Sequence, residues 1–414
     1  MKEVFRMTQR VVVTGMGAVT PLGNDVTTTM KNITAGQVGF APITKFAAAA
    51  TGITLAGELK NFDVTMRLDK RLSKRLDLFS QYALYSALEA AEQAGLTAET
   101  VAPERLGVMI GSGIGGLTTI EAQVTKMNAK GPQRVSPLFV PESIANMAAG
   151  NVALQFNARN ICTAVVTACS SGTNAIGDAF REVQSGRADM MIAGGAEAPI
   201  NQIGIAGFAA LSALSPATDP QRASIPFDQD RAGFVMGEGA GMLILESLAH
   251  AQQRGATIYG EITGYGSTCD AFHMTAPDPA GTQAARAMQL AIDESGATAA
   301  DFGYVNAHGT STKANDAAES AAINHVFTTP VLVSSTKSMT GHLLGAAGAI
   351  EAVITLAALR QKQLPVNVGV QQQDPACPVT LVTAENCQQE VTNALSNSFG
   401  FGGHNAVLAL RKWA

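Results

Sequence analysis

The sequence predicts an α/β protein built from two related halves. Short apolar runs rich in β-branched residues alternate along the chain with longer stretches rich in Ala, Leu and Gln, the order expected of buried strands covered by helices. A second series begins near Tyr259. Each half opens with a strand that we expect to lead into a glycine-containing turn, VVVTGMGAV in the first and EITGYGSTC in the second. This loose likeness indicates a duplicated α/β unit, with domains at residues 1–257 and 258–414.

The individual elements follow from the same alternation. In the first half we predict strands at residues 11–14, 107–110, 164–167 and 190–193, and helices at residues 80–94 and 171–183. In the second half we predict strands at residues 303–307, 331–335 and 406–410, and a helix of small residues at 341–359. Each half therefore contains a strand that enters a small-residue helix bearing a chemically active side chain, Cys169 in the first and His342 in the second.

Composition excludes several classes of protein. With 414 residues, 46% of them hydrophobic, the chain can bury one large core or two ordinary ones. A net charge of −5 opposes a nucleic-acid-binding surface. No apolar run reaches the ~18 residues of a membrane span, and no signal peptide is recognisable. The five cysteines are irregularly spaced without a CxxC pair, which favours a reducing compartment, the cytoplasm.

Glycine-rich segments give no support to nucleotide or zinc chemistry. The 41 glycines cluster in short turns, of which GSGIGG at 111–116 most resembles a dinucleotide-binding loop. Its glycines fit the pattern GxGxxG, but the segment lacks the acidic residue about 20 positions later that completes a dinucleotide-binding unit. The chain also lacks the GxxxxGK[ST] and HExxH motifs. We expect no bound cofactor.

Cys169 is the candidate nucleophile. It follows the apolar run 164–166 and precedes Ser-Ser-Gly-Thr, so it is expected where a strand turns sharply into a helix. At a helix N-terminus the dipole and the unpaired backbone N–H groups favour the reactive thiolate. A lone cysteine is more often a small buried hydrophobe. We adopt that interpretation for the remaining four, Cys162, Cys269, Cys377 and Cys387.

Two histidines strengthen the interpretation of Cys169. His308 lies between the apolar run 303–307 and the polar sequence Gly-Thr-Ser-Thr, the position of a side chain that leaves a strand end and enters a cleft. His342 is expected at the N-terminus of the helix at 341–359. Each histidine alone could be structural, but two such positions together with Cys169 indicate a nucleophilic site.

Five motifs carry a resemblance that covers the whole chain. TACSSG, NAHGTST, STKSMTGH, GAAGAIE and NSFGFGGHN, in this order, resemble the β-ketoacyl-acyl carrier protein synthases of bacterial fatty-acid synthesis, particularly the elongating type II branch. The resemblance implies a thiolase-like fold, with the duplicated α/β halves forming a five-layered αβαβα sandwich, and a homodimer. It also implies an acyltransferase that condenses an acyl chain with a malonyl group, each carried on the phosphopantetheine of acyl carrier protein.

The resemblance assigns roles to the candidate residues. Cys169 would take the acyl chain as a thioester, while His308 and His342 would bind the malonyl thioester and stabilise the enolate left by loss of CO2. The backbone N–H groups of Cys169 and Phe401 would form the oxyanion hole, and Phe401 and Phe399 would belong to a mobile gate. Lys337 would bias histidine protonation or pair with an acid such as Glu319.

Further positions match binding sites of that family. Thr310 and Thr312 match residues that bind the phosphopantetheine arm, and Ile114 matches a pocket position associated with long acyl chains. A structural cation is expected at Asn306, Glu351, Ser396 and Asn397. Two residues depart from the usual pattern, Lys313 after GTST and His404 after GFGG. Residues 1–6 are interpreted as an extension or as the result of an alternative start at Met7.

A local basic run contrasts with the acidic chain. Arg67, Lys70, Arg71, Lys74 and Arg75 are interpreted as a docking surface for the acidic carrier protein. The spacing of the first four would place them along one face of a helix, with Leu68, Leu72 and Leu76 on another. A solvated face without a partner would show the same charge pattern.

Other functions remain to be distinguished. A thiolase-type acyltransferase would carry a second catalytic cysteine in a C-terminal Cys-x-Gly turn, where this chain has SFGFGG. A non-catalytic subunit of a condensing heterodimer would lack Cys169. A papain-like protease would use Cys and His without the α/β duplication. A condensing enzyme of polyketide synthesis would share these motifs and is the principal alternative.

Overall fold

The computed structural model describes residues 8–413, so the segment that precedes Met7 lies outside the described residues. In that part of the chain thirteen strands are found: β1 Val11–Val19, β2 Ala41–Pro42, β3 Leu55–Ala56, β4 Leu106–Gly111, β5 Cys162–Val165, β6 Met190–Glu197, β7 Gly239–Ser247, β8 Gly260–Cys269, β9 Phe302–Asn306, β10 Leu332–Ser334, β11 Thr380–Leu381, β12 Asn393–Gly400 and β13 His404–Arg411.

Fourteen α-helices occur between residues 8 and 413: α1 Val26–Thr34, α2 Lys70–Ser73, α3 Leu78–Ala94, α4 Leu117–Lys130, α5 Phe139–Ser143, α6 Met147–Phe156, α7 Ser171–Gln184, α8 Gln202–Ala210, α9 Pro220–Ala223, α10 Leu248–Gln253, α11 Thr282–Ser295, α12 Lys313–Val326, α13 Lys337–Thr340 and α14 Ala347–Gln361. Every predicted strand and helix overlaps one of these elements, with ends displaced by a few residues.

The sheet order shows the two halves side by side. Eleven strands of the described chain are ordered β11-β10-β9-β12-β13-β8-β1-β7-β6-β4-β5, so the first half occupies one end and the second half the other. The halves meet where β1 pairs with β8 over three positions, from Val11 opposite Ile262 to Val13 opposite Gly260. The predicted division between residues 257 and 258 falls in the link between α10 and β8.

Both halves use glycines in the same way, but not in turns. The segments VVVTGMGAV and EITGYGSTC are each part of one uninterrupted strand, so the prediction of a glycine turn was wrong. A Cβ on Gly15 or Gly17 would lie about 2 Å from a carbonyl oxygen of α3, and a Cβ on Gly264 or Gly266 would do the same against α11. The glycines therefore let a helix lie directly on the first strand of each half.

The layers form around two central helices. α3 packs on β1 and β7 on one outer side, and α11 packs on β8 and β13 on the other. Two helices lie between the strands of the first half and those of the second. Helix α7 contacts β4 and β6, and helix α14 contacts β7 and β12. This is the expected five-layered arrangement, and it places the start of α7 beside the turn that precedes α14.

Helix α14 is buried in the molecule. Together with the turn before it, residues Leu344–Gln361 are long and apolar enough to cross a membrane, contrary to the sequence prediction that no run reaches that length, but 89% of them are buried in the core. An apolar helix covered by neighbours on all sides is the pattern of a central core element. This helix is therefore accounted for by the packing of the two half-sheets.

Candidate functional site

A cavity of about 270 Å³ opens between the two halves. The structure brings seven of the predicted site residues to this one place, although they come from distant parts of the chain. Its walls include Cys169, Phe208, Phe234, Asp270, His308, Thr310, Thr312, Asn315, His342, Phe399 and Phe401. Both histidines and the cysteine therefore face one space.

Cys169 lies where the sequence places it, between a strand and a helix. β5 ends at Val165, a single 3₁₀ turn spans Ala168–Ser170, and α7 begins at Ser171. Ala168 has φ +52°, a conformation that is costly for a residue with a side chain. The hydroxyl of Ser171 donates to the carbonyl of Ala168 at 2.6 Å and holds this sharp turn. The thiol is thereby presented at the start of α7.

The thiol is not pre-ionised in this structure. Burial raises the pKa of Cys169 to about 12, although Lys337 and the backbone N–H groups of Phe401 and Cys169 act to lower it. The expected thiolate at the helix N-terminus is therefore not supported, because loss of solvent outweighs the nearby donors. The same two N–H groups are the pair predicted for the oxyanion hole.

His308 is held from two sides. Its backbone N–H donates to Oε1 of Glu319 at 2.8 Å, and the N–H of Gly309 donates to Oε2 of the same carboxylate at 2.7 Å. On the ring, Nδ1 lies 3.3 Å from Nζ of Lys337. Since an ammonium group can only donate, Nδ1 accepts and the ring proton resides on Nε2.

His342 reaches the same tautomer by a different route. It does not begin a helix, contrary to the prediction, because its backbone pairs with Val235 and Gly237 at 2.7 and 2.8 Å in an extended bridge before α14. The N–H of Leu344 donates to Nδ1 of His342 at 3.2 Å, which leaves the proton on Nε2. The ring centroids of His308 and His342 are 5.2 Å apart.

Both rings are neutral donors. Burial and the positive charge of Lys337 lower the pKa of each histidine well below its ordinary value. Lys337 itself is buried and forms an ion pair with Glu351, not with the predicted Glu319. Glu319 is engaged instead by the backbone at His308. Each neutral ring can therefore donate a hydrogen bond through Nε2–H to a developing negative charge.

A chain of ring contacts connects Phe401 to His342. Phe401 stacks on Phe208 with ring centroids 6.3 Å apart. The ring centroid of Phe234 lies 5.7 Å from that of Phe208 and 5.0 Å from that of His342. Phe399 contacts the ring of His308 at 5.8 Å. Gly402 and Gly403, which follow Phe401, both have positive φ, as a sharply turned loop requires.

The other residues that the sequence singled out lie in the cavity wall or in neighbouring segments. The hydroxyls of Thr310 and Thr312 lie 2.9 Å apart in the cavity wall. Ile114 packs in the apolar cluster that contains Cys169. Lys313 starts α12 and donates to the carbonyl of Gln229. His404 begins β13, with its ring beside Gly402 of the gate loop.

The predicted cation residues carry buried oxygens that lack hydrogen-bond partners. These atoms are Oδ1 of Asn306, Oε2 of Glu351, Oγ of Ser396 and Oδ1 of Asn397. Asn306 and Ser396 are register partners on β9 and β12, and Asn306 donates to Thr355 of α14, the helix that also carries Glu351. By strand alternation Asn397 faces the other side, where it donates to Glu319 at 3.1 Å.

The basic surface differs from the predicted helical face. Only Lys70–Ser73 are helical, so the cations do not follow one long helix. Arg67 bonds to Glu92 at 2.8 Å and lies over the ring of Tyr85, whereas Lys70, Arg71, Lys74 and Arg75 are exposed. The exposed members form the basic surface discussed below.

Several features were absent from the sequence interpretation. Phe208 and Phe234 entered the site through tertiary contacts that no local motif signals. Glu197 ends a wholly apolar strand, and a lone carboxylate in that position could have been recognised as a buried functional group. Cys377 and Cys387 are buried as predicted, but Cys162 and Cys269 are exposed, so their interpretation as buried hydrophobes was wrong.

Comparison with known proteins agrees with this geometry. The family model described as "Beta-ketoacyl synthase, N-terminal domain" matches residues 8–251, and "Beta-ketoacyl synthase, C-terminal domain" matches residues 259–371. The chain is 49% identical over 408 residues to "3-oxoacyl-[acyl-carrier-protein] synthase 2" of Staphylococcus aureus (strain COL), covering 98% of this chain and 99% of the relative. The protein of the same name from Synechocystis sp. is 48% identical over 411 residues, with 98% of each chain covered.

Solved structures share the fold over nearly the whole length. A β-ketoacyl synthase from Burkholderia phymatum superimposes with a TM-score of 0.91 at 34% identity, covering 98% of this chain and 100% of the other. A ketosynthase bound to its type II polyketide acyl-carrier protein gives 0.90 at 33%, with the same coverage. The chain belongs to the β-ketoacyl synthase family.

Proposed function

We propose that Cys169, His308 and His342 carry out the decarboxylative condensation of acyl-acyl carrier protein with malonyl-acyl carrier protein. The product is a β-ketoacyl-acyl carrier protein two carbons longer, so the enzyme is an acyltransferase of fatty-acid elongation. The observation that carries this assignment is the convergence of one cysteine and two neutral histidines on one cavity, in a chain so similar to the named 3-oxoacyl synthases.

In the first half-reaction the acyl group moves to Cys169. Sulfur attacks the thioester carbonyl, the bond to the carrier thiol breaks, and the proton of Cys169 leaves with that thiol. Because the pKa of Cys169 is raised to about 12, the proton must be transferred as the carbon–sulfur bond forms. The backbone N–H groups of Cys169 and Phe401 would hold the tetrahedral oxyanion.

In the second half-reaction the histidines act on the malonyl thioester. The Nε2–H groups of His308 and His342 would donate to its carbonyl oxygen while CO2 leaves, and the electron pair of the broken bond becomes the enolate. The enolate carbon then attacks the acyl thioester of Cys169. The carbon–sulfur bond breaks, and the thiolate left on Cys169 takes up a proton from solvent. Neutral donors suit this step because they stabilise the enolate without protonating it.

The condensation needs no reactant besides the two thioesters, and we expect no organic cofactor. The unpartnered oxygens of Asn306, Glu351 and Ser396 fit a hard cation, which prefers oxygen ligands. Such an ion would supply structural positive charge beside Lys337. Asn397 lies on the other face of its strand, so its side chain does not join this set.

Two copies of the chain are proposed to associate through the edge of the sheet. β5 is the outermost strand of the first half, and an exposed sheet edge invites pairing with another strand. Around it Leu154, Ile161 and Val166 are 78%, 39% and 57% exposed. A second copy related by twofold symmetry would cover them. Because all five cysteines are free, we expect the dimer to work in the cytoplasm.

The polyketide alternative is favoured by one observation, the similarity to a solved type II polyketide ketosynthase at 33% identity. Analysis of the products separates the two functions, because a fatty-acid enzyme needs ketoreduction before each further extension, whereas a polyketide enzyme would extend its own β-keto product. The thiolase alternative lacks support, since Cys169 is the cysteine of the cavity wall.

Intact mass spectrometry tests the proposed function. Incubation with a long-chain acyl carrier protein should add the acyl mass to Cys169, and malonyl carrier protein should remove it with release of the β-ketoacyl product. Cys169→Ala should abolish both changes while the fold is retained. His308→Ala and His342→Ala should still be acylated but should lose about 10²–10³-fold in condensation rate. Condensation by Cys169→Ala at an undiminished rate would refute the assignment.

A further inference from the structure

Glu197 is a fully buried carboxylate next to the catalytic cavity. It is the last residue of β6 and is 0% exposed. Its oxygens accept four hydrogen bonds, from the hydroxyl of Ser112 at 3.0 Å and from the backbone N–H groups of Gly113 at 2.6 Å, Ile114 at 3.1 Å and Gly345 at 3.0 Å. All four donors are neutral.

The absence of a cation distinguishes Glu197 from Glu246 on the adjacent strand. Glu246 is equally buried but forms an ion pair with Arg254 at 2.7 Å and a hydrogen bond with Nδ1 of His250 at 2.5 Å. Within residues 8–413 no Lys, Arg or His side chain lies within 4.0 Å of Glu197 in an ion pair. A buried carboxylate must be compensated by hydrogen bonds when no cation is present. The positions of these donors are therefore coupled to its charge.

The backbone donors come from two separate segments of the chain, residues 113–114 and Gly345. Ile114 packs against the apolar cluster that contains Cys169, and its proposed role is to line the acyl pocket. Gly345 follows Leu344, whose N–H fixes the tautomer of His342 on the malonyl side. A Cβ on Gly113 or Gly345 would lie 3.0 or 2.6 Å from Oε2 of Glu197, so both backbones approach the carboxylate as closely as glycine allows.

We propose that Glu197 is a positioning residue that joins the acyl-pocket wall at Ile114 to the turn that orients His342. This inference rests on the roles proposed above for Cys169 and His342. One carboxylate sets the distance between the wall that receives the acyl chain and the donor that activates the malonyl group. Burial raises the pKa of Glu197, while its hydrogen bonds from Gly113, Ser112, Ile114 and Gly345 lower it. When Glu197 is ionised, its negative charge adds to the effect of burial and raises the pKa of Cys169. Glu197 therefore contributes both to chain-length selectivity and to keeping the thiol protonated.

Two substitutions separate these effects. Glu197→Gln keeps the length of the side chain but removes the charge and turns one oxygen into a donor that faces backbone N–H groups. Glu197→Asp keeps the charge but is one methylene shorter, so it cannot reach all four donors. The two readouts are the pH dependence of Cys169 alkylation by iodoacetamide and the ratio of kcat/KM for hexadecanoyl and hexanoyl carrier protein.

The expected results differ between the variants. Glu197→Gln should move the alkylation profile about one unit to lower pH, because a negative charge near the thiol is lost. Glu197→Asp should leave that profile in place. Both should change the long-to-short kcat/KM ratio about tenfold, because the wall at Ile114 is released. If Glu197→Gln retains the profile and the ratio of the unmodified enzyme, the proposal is overturned.

A matched control and a milder variant complete the test. Glu246→Gln removes a buried carboxylate at the far end of the neighbouring strand and should lower stability without changing the chain-length ratio; an equal change there would overturn the proposal. Ser112→Ala removes one of the four donors to Glu197, together with the acceptor of the Gly115 N–H group. It should change the ratio about threefold without moving the alkylation profile, so it tests positioning even if the Glu197 variants do not fold. An unchanged ratio in folded Ser112→Ala also counts against the proposal. Since alkylation needs no turnover, its result is independent of whether condensation is the enzyme's reaction.

Discussion

Nζ of Lys337 lies 3.3 Å from Nδ1 of His308 and joins that ring to a buried carboxylate, because the same ammonium group is paired with Glu351. The arrangement has two consequences for the imidazole. The ammonium fixes the proton on Nε2, and its positive charge lowers the pKa of His308 further than burial alone. Lys337 is therefore placed to keep His308 a neutral donor during decarboxylation.

Replacement of Lys337 by methionine should uncouple the two half-reactions. We expect CO2 release from malonyl carrier protein to fall about 10²-fold, because His308 loses its fixed tautomer, whereas acylation of Cys169 continues. The free energy of unfolding should fall by about 3–5 kcal/mol, since Glu351 is left buried without its partner. Release of labelled CO2, intact mass and urea denaturation measure the three quantities.

The double variant Lys337→Met with Glu351→Gln is the control for this prediction. It removes both charges, so it should recover much of the lost stability while decarboxylation stays low. Recovery of decarboxylation in the double variant would contradict the assignment, because the lysine would then act by neutralising Glu351 and not through His308.

The pH dependence of Cys169 reactivity distinguishes the sequence prediction from the structure. A group with a pKa of about 12 is mostly protonated at neutral pH. The rate constant of its alkylation by iodoacetamide should therefore rise about tenfold per pH unit from pH 6 to 9 without a plateau. Peptide mass spectrometry assigns the label, because Cys162 and Cys269 are exposed and also react. A plateau below about pH 8 would show that the helix N-terminus already stabilises the thiolate.

The sequence motifs located Cys169, His308 and His342 because each has a local signature. Cys169 follows a strand and precedes a small-residue helix, and the structure confirms that transition. The order of strands and helices was likewise predictable from alternating composition. The assignment of residue roles stays a prediction, since geometry alone shows only that these side chains share one cavity.

The details that the sequence did not reveal depend on contacts between distant residues. The ionisation of Cys169 depends on its burial by the whole fold, and the partner of Lys337 is Glu351 because α13 and α14 meet in the core. The helix expected to begin at 341 starts later, since His342 pairs with Val235 and Gly237. The glycines of β1 suggested a turn because α3, the helix packed against them, is distant in the sequence.

Phe401→Ala should weaken the order of substrate entry. The ring of Phe401 stacks on Phe208, while its backbone N–H belongs to the proposed oxyanion hole, so alanine removes the gate but keeps the donor. We expect the unacylated enzyme to decarboxylate malonyl carrier protein several-fold faster, with acylation little changed. Steady-state kinetics with each substrate varied would measure this. Phe208→Ala removes the stacking partner and should act in the same direction; an unaltered order in both variants argues against a gate.

Charge reversal of the basic surface should impair use of carrier-bound substrates specifically. Lys70 and Lys74 are exposed, and the chain carries a net charge of −5, so attraction of an acidic partner depends on such a local surface. In Lys70→Glu with Lys74→Glu, we expect KM for acyl carrier protein to rise at least about tenfold at low salt. The rise should be smaller at high salt, where charges on the surface are screened.

Two comparisons separate docking from folding in that experiment. A small pantetheine thioester has no acidic surface, so the double variant and the unmodified enzyme should use it equally well. Lys31→Glu with Arg187→Glu makes the same change in net charge at other exposed positions and should leave KM for the carrier protein nearly unchanged. Equal loss with both substrates would mean that Lys70 and Lys74 maintain the fold, and equal loss in the control pair would mean that net charge, not this surface, attracts the carrier protein.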